Sequence, residues 1–125
     1  MKKIIPVPGA PAVKGHYSHA VQAGNLLFTA GQIPLNPATG QLVEGDIKAQ
    51  ARQVLENLKT VLHAAGLDFS SVVKAHVYVS DIANMPAVNE IYAACFPEHP
   101  PARTSVQVAA LPLGAMVEID MIAVL

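Results

Sequence analysis

The residues best suited to chemistry are three charged side chains in the apolar C-terminal part of the chain. Between residues 100 and 125 the only charged residues are Arg103, Glu118 and Asp120. A buried ion is costly unless it is paired or used. A guanidinium presents a planar fork that fits a carboxylate, and burial gives a carboxyl group a raised pKa that suits proton transfer near neutral pH. The pattern predicts a small polar site that binds a small anion and performs acid–base chemistry on it.

A structural interpretation stands beside the functional one. Arg103 could form a salt bridge with Glu118 or Asp120, and spacing alone favours neither alternative. Glu118 and Asp120 alternate onto one face of a predicted strand. A tight hairpin turn at Pro112 would place Glu118 opposite Gln107 rather than Arg103. A longer loop, strand twist or a neighbouring subunit would then have to bring the two charges together.

Other candidate residues are less specific. Gly31 ends a predicted strand, where a missing side chain can expose backbone groups to a ligand, although a plain bulge is the simpler explanation. Tyr17 and Asn89 can each donate or accept a hydrogen bond, but taken alone they are an ordinary strand aromatic and an ordinary helix-surface amide. Cys95 is expected to be inert, with a Cys–His pair with His99 as a weaker alternative. The histidines show no metal-site spacing, and no phosphate-binding loop or nucleophile elbow is present.

Composition predicts one domain, residues 1–125, that associates with copies of itself. The chain has 52% hydrophobic and 14% charged residues, whereas a well-solvated small domain carries about 25–35% charged residues on its surface. We therefore expect a homo-oligomer that hides apolar faces. The net charge is −1 and the basic residues are scattered, so nothing indicates binding to nucleic acid or an acidic membrane.

Cysteine usage and hydropathy indicate the compartment. A single cysteine permits no internal disulfide, which fits a reducing environment. No stretch approaches the roughly 20 apolar residues of a membrane span, and the N-terminus lacks the apolar run of a signal peptide. We expect a cytoplasmic location.

Periodicity predicts the elements that position these residues. The apolar residues of 46–65 recur with helical spacing, with Asp46 at the start and Gly66 at the end. A shorter helix over 85–95 has Asp81 or Asn84 as its cap. Strands are predicted at residues 17–23, 26–30, 72–80, 103–109 and 116–124, the first two joined by a hairpin turn and the last two by the loop 111–114. In the strand 72–80, one face is predicted to hold Val73, Ala75, Val77 and Val79, and the other Val72, Lys74, His76 and Tyr78.

The predicted order is β-β-α-β-α-β-β, with an optional short strand at Ile4. This order indicates an α+β fold, with the helices covering one face of a mixed sheet and the other face forming the oligomer interface.

Several motifs resemble those of the RidA/YjgF/UK114 family. The most specific are PARTSV at residues 101–106, LP at 111–112 and VEID at 117–120. Further matches are GHYSHA at 15–20, LFTAGQIP at 27–34, QARQVLEN at 50–57 and VNEIY at 88–92. The resemblance covers essentially the whole chain. It implies a chorismate-mutase-like fold assembled as a trimeric barrel, with three clefts between subunits.

The resemblance also implies an activity, 2-iminobutanoate/2-iminopropanoate deaminase. Such enzymes act in metabolite damage control, hydrolysing reactive enamine/imine acids from PLP-dependent enzymes such as threonine dehydratase to 2-oxo acids and ammonia. Carried over by position, Arg103 would bind the substrate carboxylate and Glu118 would position or activate water. Tyr17 and Asn89 would line the pocket, and Gly31 would offer its backbone. Neither a cofactor nor a metal is implied.

Two departures from the family pattern leave substrate preference open. Ala30 stands where active members often have Ser, and Ser105 stands where one branch has Cys. Both remain in the substrate-binding set that the resemblance implies. A further departure is Asp120, which stands where family members more commonly have Glu. An imine carbon is already electrophilic, so its hydrolysis needs only a held carboxylate, a placed water and a proton donor.

The alternatives are an endoribonuclease or translation inhibitor, an activity also attributed to the family, and a non-enzymatic small-acid-binding protein or holdase.

Overall fold

Two α-helices pack on one face of a six-stranded mixed sheet, which confirms the predicted fold class. The structure is a computed structural model that describes residues 1–125. The elements are β1 (Lys2–Ile5), β2 (Ala20–Ala23), β3 (Leu26–Thr29), α1 (Ile47–Ala64), β4 (Val72–Val79), α2 (Met85–Cys95), β5 (Ala102–Gln107) and β6 (Val117–Val124). Neither helix is both long enough and apolar enough to cross a membrane.

The helices begin and end where their local sequence indicates. The Asp46 side chain caps α1 by accepting a hydrogen bond from the Ala49 N–H at 2.9 Å. Gly66 follows the helix with φ +75°, a conformation that glycine adopts without strain. Asp81 caps a short 3₁₀ turn before α2, whereas Asn84 precedes α2 without a side-chain cap bond. The apolar stripe of α1 is buried against the sheet, where it forms much of the core.

Strand order corrects one prediction. The order is β1-β2-β3-β6-β4-β5, and only β4 and β5 are parallel. The predicted pairing of the last two strands is therefore wrong, because α2 returns the chain parallel to β4 and β6 then pairs on the other side of β4. Burial explains the choice. Val117, Ile119 and Met121 of β6 are almost fully buried, whereas β5 carries mostly polar residues and tolerates the sheet edge.

Two local predictions also need correction. Tyr17 lies in a loop, because β2 begins only at Ala20. The pairing of Ile5 with Ala20 is the last between β1 and β2, and Pro6 has no N–H with which to continue it. In β4, an irregularity in the register between residues 72 and 74 buries Val72 on the helix side and leaves Val73 44% exposed.

The sheet face opposite the helices, called here the outer face, is uncovered and carries a mostly apolar row of side chains. Residues directly opposite one another across the strands share a face. One row across the outer face consists of Ile4, Val21, Phe28, Ile122, Lys74 and Ala102. Ile4 is 58% exposed and Phe28 is 40% exposed. Exposed aliphatic and aromatic side chains on one continuous face are typical of an interface.

Candidate active site

A cavity of about 500 Å³ brings together four of the seven residues predicted for the site. Tyr17, Ala30, Gly31 and Glu118 all line it. Its walls come from the N-terminal arm (residues 6–19), the segment after β3, the loop before β6, and β6 itself. We call it the Glu118 cavity.

The carboxyl group of Glu118 lies directly against Gly31. A Cβ atom at Gly31 would lie only 2.9 Å from Glu118 Cδ and nearer still to a carboxylate oxygen. Any larger residue would displace the carboxyl group. Within the chain, neither the N–H nor the C=O of Gly31 has a hydrogen-bond partner. The glycine therefore allows both the close approach of Glu118 and the exposure of two backbone groups to a ligand.

Backbone hydrogen bonds fix the close approach of Glu118 to Gly31. The Gln32 N–H donates to the Ile119 carbonyl at 2.9 Å, and the Ile119 N–H donates back to the Gln32 carbonyl at 3.2 Å. These two residues adjoin Gly31 and Glu118 in sequence. The segment after β3 is therefore tied to β6 beside the carboxyl group, and the position of Glu118 relative to Gly31 follows from main-chain geometry.

Glu118 is suited to proton transfer. Burial raises its pKa above the ordinary value, and the nearby Asp120 carboxylate raises it further. The Glu118 side chain forms no ion pair in the chain. Its neighbour Asp120 pairs with His76, the Asp120 Oδ1 lying 2.6 Å from His76 Nδ1. Burial and a nearby like charge therefore favour the neutral form of Glu118, so the group can both accept and return a proton.

The remaining three predicted site residues lie elsewhere, around the edge strand β5. The Arg103 Nη2–H donates to Asn89 Oδ1 at 2.7 Å, and Arg103 Cζ lies 4.7 Å from the ring centroid of Tyr92. Asn89 and Tyr92 are three residues apart on α2 and so share a helix face. We call these three residues the Arg103 clamp. Arg103 forms no ion pair in the chain, so the salt-bridge interpretation does not hold within one copy.

Ser105 follows Arg103 on the same face of β5. Its Oγ is buried and has no hydrogen-bond partner, and the same is true of the Tyr92 hydroxyl. Tyr92 continues into an aromatic cluster, with its ring centroid 4.7 Å from that of Phe96 and the Phe96 centroid 5.4 Å from that of Phe69. The cluster supports the ring on which the guanidinium rests.

Arg103 and Glu118 lie on opposite faces of the sheet. Arg103 is paired with Ala75 of β4, which faces the helices, and Glu118 is paired with Tyr78, which faces outward. β4 also separates the two strands that carry them. A single copy therefore holds the two halves of the predicted site apart.

Three residues near these groups were not among the site residues that the sequence predicted. Tyr92 could have been found from its spacing with Asn89, since residues three apart on a helix are neighbours. His76 was placed on the correct face, but its partner Asp120 depends on the β4–β6 pairing, which local patterns do not give. Lys14 lines the Glu118 cavity and carried no sequence signal.

The structure gives little support to metal-dependent chemistry or to a nucleophilic thiol. No group of three or more His, Cys, Asp or Glu side chains lies in an arrangement that could hold a metal ion. Burial raises the pKa of the Cys95 thiol, which disfavours the nucleophilic thiolate.

Comparison with known proteins decides the family. The family model described as Endoribonuclease L-PSP matches residues 8–125. This chain belongs to that family, the RidA/YjgF family. It is 50% identical to a RutC family protein of Pyrococcus horikoshii over 98% of each chain. It is 47% identical to a mouse protein named 2-iminobutanoate/2-iminopropanoate deaminase, over 99% of this chain and 92% of that one.

Solved structures of RidA/YjgF proteins have the same fold. The structure of RidA from an Antarctic Psychrobacter matches with a TM-score of 0.94 and 44% identity, covering 98% of this chain and 99% of that one. The YjgF gene product of E. coli matches with a TM-score of 0.91 and 46% identity, covering 98% of both chains.

Proposed function

We propose that this RidA-family chain is an enamine/imine deaminase. It hydrolyses small 2-imino acids such as 2-iminobutanoate and 2-iminopropanoate to 2-oxo acids and ammonia, as part of metabolite damage control in the cytoplasm. The observation that carries the proposal is the Glu118 carboxyl group, with a raised pKa and no ion-pair partner, beside the free backbone groups of Gly31 in a cavity. Relatives named as deaminases at 47% and 46% identity support it.

The reaction requires one water molecule and one group that moves a proton. Ionised Glu118 takes a proton from water as the oxygen bonds to the imine carbon, and the C=N electron pair moves to nitrogen. The proton is returned to that nitrogen, giving a carbinolamine. Glu118 then takes the hydroxyl proton and gives it to the nitrogen as the C–N bond breaks, so that ammonia leaves and the 2-oxo acid remains. A carboxyl group whose pKa is raised toward neutrality suits both directions of transfer.

The complete site is proposed to form between subunits of a homotrimer. Arg103 of one copy would face the Glu118 cavity of the next, because the two halves of the site lie on opposite sheet faces in one chain. Repeating one such head-to-tail contact three times closes a ring. The uncovered apolar outer face supplies surface for this association.

Within this site the Arg103 guanidinium holds the substrate carboxylate. One of its N–H groups is already bound by Asn89, and the remaining donors of the fork stay available. Tyr17, Ala30 and Gly31 line the cavity around the imine, and Ser105 adjoins the carboxylate end.

The test is an assay coupled to threonine dehydratase, in which semicarbazide traps the released imine and its loss is followed. Wild type is expected to accelerate the disappearance of the imine. Glu118→Gln should lower kcat by at least about 100-fold, and Arg103→Ala should lower kcat/KM by roughly 10- to 100-fold. Arg103→Lys should also be impaired, because a point charge does not reproduce the fork. Wild-type activity in either Glu118→Gln or Arg103→Ala would refute the assigned roles.

The competing function is ribonuclease activity, because the matching family model is described as Endoribonuclease L-PSP. A nuclease binds phosphates through clustered cations, and binding weakens steeply with salt. The eight Lys and Arg residues of this chain are balanced by nine Asp and Glu. RNA cleavage that persists in highly purified protein and disappears in Glu118→Gln would favour the nuclease instead.

A further inference from the structure

The wall of the Glu118 cavity contains a lysine whose charge the chain does not neutralise. Lys14 lies in the N-terminal arm, and its Nζ–H donates a hydrogen bond to the Gly40 carbonyl oxygen at 2.6 Å. This bond holds the ammonium group between the arm and the turn that contains Gly40. Lys14 takes part in neither of the chain's ion pairs. An ammonium has three donors, so two remain for a ligand.

The rest of the wall suits a short hydrocarbon chain. Pro11, Ile33, Leu35 and Leu113 contribute apolar surface to the cavity, which contains no second lysine or arginine. An apolar wall with one cation fits an alkyl side chain that ends in an anion.

The cavity is larger than a four-carbon substrate needs. 2-Iminobutanoate has seven non-hydrogen atoms, which occupy roughly 200 Å³ if each takes about a water's share of liquid volume. The cavity measures about 500 Å³ in one copy. In one copy, before the neighbouring copy proposed above covers it, the cavity therefore exceeds the volume of the four-carbon substrate.

Building on the deaminase function proposed above, we propose that Lys14 forms an anion subsite and that the preferred substrates are 2-imino acids with a second carboxylate. The α-carboxylate binds Arg103 of the neighbouring copy, the imine carbon lies at Glu118, and the side-chain carboxylate binds the Lys14 ammonium. Such imines are formed when acidic amino acids are oxidised at the α-carbon. That class of reaction would supply the substrate.

The subsite is tested by the ratio of kcat/KM for a dicarboxylic and a monocarboxylic 2-imino acid. Each imine is produced in the assay by enzymatic oxidation of the corresponding amino acid and is trapped with semicarbazide. Wild type should prefer the dicarboxylic imine, and Lys14→Gln should lower that preference by about fivefold, the effect of one exposed ion pair. The ratio should fall because the dicarboxylic imine loses more activity than the monocarboxylic one, and Lys14→Glu should lower the ratio further.

Lys59→Gln is the matched control, because it removes an exposed lysine of α1 that does not line the cavity. The ratio should not change in this variant. An equal loss on both imines in Lys14→Gln, an unchanged ratio, or a wild-type preference for the monocarboxylic imine would overturn the subsite while leaving the deaminase function intact.

A binding measurement separates the two proposals. Calorimetry with 2-oxoglutarate and 2-oxobutanoate, which are stable product-like acids, needs no turnover. Tighter binding of 2-oxoglutarate that is lost in Lys14→Gln, in a protein that hydrolyses no imine, would support the subsite and refute the deaminase. Equal binding of both acids by wild type and Lys14→Gln would refute the subsite.

Discussion

The guanidinium of Arg103 rests on the ring of Tyr92, with Cζ 4.7 Å from the ring centroid. Asn89, one helical turn away, accepts a hydrogen bond from the same guanidinium. The two contacts approach from one face of α2 and fix both the plane and the direction of the fork. Since a planar fork binds a carboxylate bidentately only when correctly aimed, the clamp orients the group proposed to hold the substrate.

The first prediction concerns this ring. Tyr92→Leu removes the cation–π contact, which is worth about 1 kcal/mol, and should raise KM roughly fivefold with a smaller effect on kcat. Tyr92→Phe keeps the ring and removes a buried hydroxyl that has no partner, so its KM should stay close to wild type. Steady-state kinetics of both variants provide the measurement, with thermal denaturation to show that they fold. Equal KM values in the two variants would show that the ring does not orient Arg103.

The second prediction is that Arg103 and Glu118 of one site come from different copies of the chain. Arg103→Ala and Glu118→Gln should each keep only the low activity expected above, but mixed trimers of the proposed assembly would contain interfaces at which an intact Arg103 meets an intact Glu118. In a head-to-tail ring, every trimer that contains both variants has one complete interface, about one third of its sites. Co-expression followed by purification through two different tags should therefore raise the activity well above that of either variant alone. Mixed assemblies no more active than the single variants would rule out a site shared between copies.

Gly31→Ala is the third prediction. The new methyl group would meet the Glu118 carboxyl group, so that this group must move. We expect kcat to fall by about 10- to 100-fold because misplacing a catalytic group is costly, while the circular dichroism spectrum stays that of the wild type. Gly9→Ala is the control, because it places a methyl group 3.2 Å from Thr60 Cγ2, a contact with no residue of the cavity wall. A similar loss of activity in both variants would point to a general disturbance of the fold.

The fourth prediction is the pH dependence set by Glu118. Its pKa is raised in the folded chain, so the folded state binds this proton more tightly than the unfolded state. The contribution of Glu118 to stability is therefore complete below its unfolded pKa and is lost as pH rises through the folded value. Glu118→Gln removes this pH-dependent loss of stability, because the glutamine side chain does not ionise. Its free energy of unfolding relative to wild type should rise with pH across this window, as measured by urea denaturation. A difference that is constant with pH would show that the carboxyl pKa is not raised.

The same shift predicts the pH profile of activity. In the proposed mechanism the ionised carboxylate starts the reaction as a base, so kcat/KM should rise with pH and level off above a pKa higher than that of an ordinary glutamate. Replacing Asp120 with Asn removes the neighbouring charge that contributes to the shift. The midpoint of the profile should then move to lower pH, and a midpoint that stays in place would assign the shift to burial alone.

The sequence by itself determined the elements and singled out most of the residues proposed for the site. The spacing of apolar residues set both helices, and α2 spans Met85–Cys95 as predicted, because amphipathic periodicity and proline are local signals. Residue types were enough to single out Arg103 and Glu118. The high proportion of apolar residues in the chain also indicated that the helices leave one face of the sheet uncovered.

The tertiary structure alone decided how those residues relate. The central place of β6, the parallel entry of β5 and the shift in β4 all depend on pairing between distant segments, which local patterns do not specify. They put Arg103 and Glu118 on opposite faces, put His76 opposite Asp120, and aimed Asn89 and Tyr92 at the guanidinium. The physical reason is burial. β6, whose residues on the helix side are almost fully buried, takes a central place in the sheet, and every facing side chain follows from that choice because strand residues alternate between faces.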